Sequence, residues 1–233
     1  MDFNSLYIHH HLGLGDHLVC FSIVKYYAQK LDQVYLFVKH HNIPSVKSLY
    51  KGLPNVTLIP VKNDFEVDSF CSLNKIECFK IGHRSLPHYQ SLGLTWAEAF
   101  YKQCNIPYSK RWEDFSIKRD LECEEEMFGF KNPNKEKYAL IHSVSSTGED
   151  GIDYTQINPS LKQIQVTKEK LGSQSIFDYI KLILEADEIH CIDSAFIHLV
   201  DSFKLNNNLF FHKNHKSRGY TSEYPLQNRW KII

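Results

Sequence analysis

The run Gly13-Leu14-Gly15-Asp16 places two glycines and a carboxylate directly after the strand-like Leu6-Tyr7-Ile8-His9 and before the apolar stretch Leu18 to Leu31. The glycines let the backbone turn sharply and come close to a bound molecule. The acidic side chain then stands at the mouth of a helix, at the carboxyl end of a strand, where open α/β sheets bind their ligands. There it can take a proton from a hydroxyl as a general base. It is equally a common helix-start residue, so a second group has to accompany it before a reaction is defined.

That second group is offered by Ile189 to Val200, where a buried strand ends at Ile192 and Asp193 or Ser194 caps the next helix. Small Ser194 and Ala195 occupy the first turn, and unpaired N–H groups with the helix dipole make such a terminus suited to phosphate. His198, one turn in, either faces the same site or packs in the core. Downstream, the run from His212 to Gly219 includes Lys213 and Arg218, cations of the kind a diphosphate requires. The consecutive His9, His10 and His11 invite a metal reading, but successive residues at a strand end point to alternating sides. They do not form one ligand set, and no metal is expected; His17 and His142 are better placed to face a cleft. The chain contains neither an Asp-x-Asp pair nor a C-x-x-C pair.

The elements that must position these groups alternate. Strands are expected at 6–9, 34–38, 56–59 (ended by Pro60) and 76–81, with helices over 16–31, 44–50 and 95–104. A charged stretch, 107–137, interrupts the alternation; Glu122, Glu124, Glu125 and Glu126 are expected on a solvated helical face beside a hinge near 107–136. The pattern restarts with a strand at 138–142, a polar loop over 143–153, a strand at 163–166 and a helix opened by Ser175 with capping-box-like spacing. A strand at 188–192, a helix at 193–203 and a last strand at 209–211 complete it. Strands separated by helices or loops imply βαβ units and mostly parallel sheets.

The length, 233 residues, allows one large α/β domain or two small ones, and the restart of the alternation favours two, 1–118 and 119–233; at 42% hydrophobic and 23% charged, disorder is not expected. Lys+Arg and Asp+Glu balance at 27 each, so no overall field draws it to nucleic acid. No secretory signal or run of about 18 apolar residues is visible. Six scattered cysteines read as reduced thiols of a cytoplasmic protein rather than a disulfide framework.

The Gly-Leu-Gly-Asp opening of the first half, paired in order with Asp-Ser-x-x-x-His-Leu in the second, resembles the GT-B glycosyltransferases, and within them the ADP-heptose:lipopolysaccharide heptosyltransferase-like group. The resemblance implies two Rossmann-like α/β domains facing across a cleft, with acceptor bound mainly by the first and nucleotide-sugar donor mainly by the second. It implies Asp16 as the base, Gly13 and His17 on the acceptor side, and Ser194, Ala195 and His198 at the donor phosphates. Gly15, His142, Ser143, Asp193, Lys213 and Arg218 complete the expected donor site. Ala195 departs from the family's glycine, and 143–153 offers no clear match to its phosphate-binding lysine.

The implied reaction moves a sugar from a nucleoside diphosphate to a hydroxyl of a glycan or lipid-linked glycan, as in polysaccharide biosynthesis. Transfer is expected to be metal-independent and inverting, without a cofactor and without membrane insertion. A nucleotide-sugar epimerase of the same fold and a non-catalytic nucleotide-sugar or glycan-binding module are the alternatives. A dinucleotide dehydrogenase fits poorly: no third glycine falls at Leu18, Val19 or Cys20, and the second strand ends at Lys39 rather than at an acidic residue.

Overall fold

The computed structural model describes residues 4–145, 148, 151–167, 175–213 and 226–233. The chain divides into two compact units, Met1–Lys118 and Arg119–Ile233. In the first, the strands are β1 (Ser5–His9), β2 (Gln33–Lys39), β3 (Val56–Val61) and β4 (Cys78–Lys80). Its helices are α1 (Leu14–Val19), α2 (Phe21–Ala28), α3 (Ile43–Leu49), α4 (Asp64–Asn74), α5 (Leu86–Ser91), α6 (Trp96–Gln103) and α7 (Lys110–Glu113). The sheet runs β3-β2-β1-β4 with every pair parallel. Chain order therefore reverses between β1 and β4, the switch point at which a crevice opens beyond the strand ends.

The second unit holds α8 (Leu121–Lys131), β5 (Tyr138–His142), β6 (Lys162–Gln165), α9 (Ile180–Glu185), β7 (Glu188–Cys191), α10 (Ala195–Asp201), β8 (Asn208–Phe211) and β9 (Trp230–Ile232). Its sheet, β6-β5-β7-β8-β9, is again wholly parallel. Here the order reverses between β5 and β7.

Several local expectations are corrected. Pro60 does not end its strand: it pairs opposite Val38 within β3, because β3 is an edge strand and a missing N–H is tolerated there. The long helix expected over 16–31 is two pieces meeting at Cys20, whose ψ of 1° departs from helical geometry. Helix α4 was not foreseen; Asn63 caps it by accepting from the Glu66 N–H, and Val67 and Phe70 pack against Phe37 and Val61. Glu124 does not lie on a solvated face. It is buried, and Arg119 donates to it from Nε at 2.9 Å.

Strand β9 was likewise unforeseen. Buried Asp201 at the end of α10 holds that segment in place, accepting from the Gln227 and Asn228 N–H groups at 3.1 Å each and from Trp230 Nε1 at 3.0 Å. Ser175 does cap, accepting from the Phe177 N–H, but it opens a 3-10 turn, Ile176–Tyr179, that leads into α9. None of the described helices is long and apolar enough to cross a membrane.

Candidate active site

In the first unit, the carboxyl ends of β1 and β4 carry the reactive groups. Gly13 precedes α1 in an extended conformation, φ −72° and ψ 150°, and Gly15 and Asp16 lie in the helix's first turn. A Cβ on Gly13 would stand 2.5 Å from Asp16 Oδ2, so the first glycine is what lets the carboxylate fold back over the turn. Asp16 keeps partial exposure as a residue, yet the protein packed about its carboxyl removes water from it. Burial pushes its pKa up to about 7, against the pull of the backbone N–H groups of Asp16 and Gly13 and of Lys39; Asp64 pushes the same way as burial. A carboxyl poised there exchanges a proton near neutral pH.

Behind Asp16 lies a group of buried histidines. His17 is buried, with neither ring nitrogen partnered, and it meets the His10 ring edge-on at 4.3 Å. His10 donates from Nδ1 to the His11 carbonyl at 2.5 Å, which leaves its Nε2 without a partner. Desolvation drives the His10 pKa down to about 3 and that of His17 well below the usual range. Both rings are neutral at physiological pH.

On the other side of the strand end, His9 reaches Asp64 at the start of α4, Nε2 to Oδ1 at 2.9 Å, and its ring lies 4.3 Å from that of His83. His83 Nε2 donates to the His9 carbonyl at 3.1 Å, and His11 stacks on His83 at 4.8 Å. The alternation expected of three consecutive histidines is thus visible: His9 and His11 both meet His83, while His10 meets His17. The turn that brings His83 in is strained, with φ +28° at His83 and +87° at Gly82. A non-glycine residue in that region costs about 1–3 kcal/mol. At Gly82 no side chain fits, since a Cβ would lie 2.5 Å from Phe100 Cε1 and 2.9 Å from His11 Nε2.

In the second unit, the corresponding switch point joins His142 at the end of β5 to Ser194 after β7, Nδ1 to Oγ at 3.1 Å. Ser194 is the N-cap of α10 and accepts from the Phe196 N–H at 3.2 Å. The His142 ring stacks on Phe196 at 4.9 Å. Ser143 is buried beside them, its Oγ 3.5 Å from Gln165 Oε1. Asp193 and Ala195 flank the cap, so the site brings together His142, Ser143, Asp193, Ser194 and Ala195.

His198 is turned into the fold, 4% exposed, and its carbonyl accepts from Ser202 Oγ. Lys213 is exposed just beyond β8, its N–H bonded to the Ile233 carbonyl at 2.8 Å. Arg218 lies outside the described residues. His212, expected in a basic loop, is instead buried: its Nε2 is 2.9 Å from His190 Nδ1. A surface hollow of about 250 Å³ lined by Glu125, Lys135, Tyr138 and Lys181 sits at the amino end of β5, away from this constellation.

Sequence reasoning missed Asp64 and His83. No motif announces either, since each reaches the strand edge through a turn whose geometry depends on packing. The strained Gly82-His83 pair was the one available signal, and a lone Gly-His dipeptide is too common to use.

These are two α/β units with wholly parallel sheets, a GT-B-like fold. Among solved structures, the chain is similar over 99% of its length to the E. coli ADP-heptose LPS heptosyltransferase II, at 12% identity, TM-score 0.65 and 90% of that chain covered. It is also similar over its full length to the family 9 glycosyl transferase from Veillonella parvula DSM 2008, at 9% identity, TM-score 0.60 and 87% of that chain covered. No protein-family model matches the chain, and no curated protein does.

Proposed function

We propose that this protein is a glycosyltransferase that moves a sugar from a nucleoside-diphosphate donor to a hydroxyl of a glycan or lipid-linked glycan, in the cytoplasm. The observation that carries the proposal is the Asp16 carboxyl, desolvated and folded over a glycine at the switch point of the first sheet. Two solved structures similar over nearly the whole chain are named as glycosyltransferases, which supports the same class.

The acceptor hydroxyl binds at the carboxyl edge of the first sheet, beside Gly13, and gives its proton to an Asp16 oxygen as its own oxygen attacks the anomeric carbon. The bond from that carbon to the diphosphate oxygen breaks, and attack from the opposite face inverts the centre. Positioned proton removal of this kind contributes about 10²–10⁴-fold. The departing diphosphate takes up negative charge as that bond breaks. In the second unit the backbone N–H groups about Ser194 and Ala195, with His142, Ser143, Lys213 and Arg218, stabilise that charge without a metal ion.

The test pairs Asp16→Asn with Ser194→Pro and Arg218→Ala. Asp16→Asn should lower transfer by about 10²–10⁴-fold while nucleoside-diphosphate affinity stays within about twofold; unchanged transfer would exclude Asp16 as base. Unaltered nucleotide affinity in both other variants would remove the donor site. Conversion of a nucleotide sugar with no acceptor present would replace transfer by epimerisation.

A further inference from the structure

We propose that His9, Asp64 and His83 form a binding site for a first-row divalent cation of the zinc type at the carboxyl edge of the first sheet. One ligand atom from each residue lies within 4.8 Å of the other two, although the three come from the end of β1, the start of α4 and the turn after β4. Two imidazoles and one carboxylate are a common donor set for zinc and its neighbours, and leave coordination positions open for water or an oxygen ligand. Bonds of about 2.0–2.1 Å hold such atoms closer together than this, so small side-chain rotations close the set on an ion.

The surroundings suit that role. The His83 ring is oriented by its bond to the His9 carbonyl and by stacking on His11, the outer contacts that fix a ligating imidazole's tautomer and direction. The backbone at His83 is held at φ +28° to put the ring there. His9 is 1% exposed on its side chain, whereas Asp64 is 57% exposed, which gives an ion a route from solvent. The nearby cation Lys80 opposes an ion, but Asp68 pairs with it at 2.6 Å. None of its three residues is assigned to the diphosphate, and the site stands or falls without sugar transfer.

Titrating the full chain with Zn²⁺ by calorimetry, and with Co²⁺ by visible absorption, tests the assignment. Wild type should take up one equivalent at micromolar metal, give ligand-field bands with cobalt and melt higher with zinc bound. Asp64→Asn, at an exposed side chain, and His83→Asn, a residue that tolerates positive φ, should each weaken binding at least about tenfold. The double variant of the exposed pair, His40→Ala with His41→Ala, should bind as wild type does. Absence of stoichiometric uptake, undiminished uptake in both site variants, equal loss in the His40/His41 control, or a thiolate-to-cobalt band would each overturn the site.

Discussion

The histidines of the two units live under opposite conditions. In the second unit, His190 contacts His212 at 2.9 Å and Glu188 at 3.3 Å, His212 accepts from the Asp153 N–H at 2.9 Å, and His142 meets Ser194. In the first unit, His9, His10, His11 and His17 account for five of the six buried side-chain atoms without a hydrogen-bond partner among the described residues. Each such atom costs about 1–3 kcal/mol when nothing replaces water. The partnered set contributes to stability, whereas the unpartnered nitrogens of the other subtract from it. Burial alone therefore does not distinguish the two sets of histidines; their hydrogen-bond partners do.

The largest expected effect breaks that contrast at its acidic end. Asp16→Asn should lower transfer by about 10²–10⁴-fold, measured as sugar release from a nucleotide donor in the presence of acceptor. Next, His190→Ala in the satisfied network should cost about 2–4 kcal/mol in denaturant unfolding, because it removes a ring stacked on Phe210 at 4.4 Å and strips contacts from Glu188 and His212.

A stability effect of opposite sign follows from the raised pKa of Asp16. A folded-state pKa above the unfolded one favours the protonated form, so its contribution is fully present below the ordinary carboxylate range and lost as pH rises through about 7. Asp16→Asn should therefore stabilise the protein at pH 8 by about 1–3 kcal/mol and have little effect at pH 4. Smallest of all, His17→Leu should leave stability within about 1 kcal/mol of wild type or raise it, since it removes two buried nitrogens that bond nothing. A loss above about 2 kcal/mol on melting would place His17 with the partnered histidines of the second unit.

What could be read in the chain, and what could not, follows the same division. Strands β1, β2, β5 and β7 announce themselves as short β-prone runs, and α6 falls within the helix expected over 95–104. These signals are local. Helix α4 escaped because its apolar face is narrow, with Val67 its single buried residue. Strand β9 escaped because its partner strand and the Asp201 contacts that hold it are far from it in sequence. Pro60 misled because edge position is a property of the sheet, not of the run. Asp16, His142 and Ser194 were readable because they follow strands directly. Asp64 and His83 were not, since only the finished sheet brings them beside His9.

The pH dependence of kcat/KM for sugar transfer tests the central claim most directly. The rate should climb tenfold per pH unit below about pH 7 and then level, as the Asp16 carboxylate becomes available, with that rising limb absent from the residual activity of Asp16→Asn. A profile flat from about pH 5 to 8 in the wild-type protein, or the same limb retained in the variant, would contradict it.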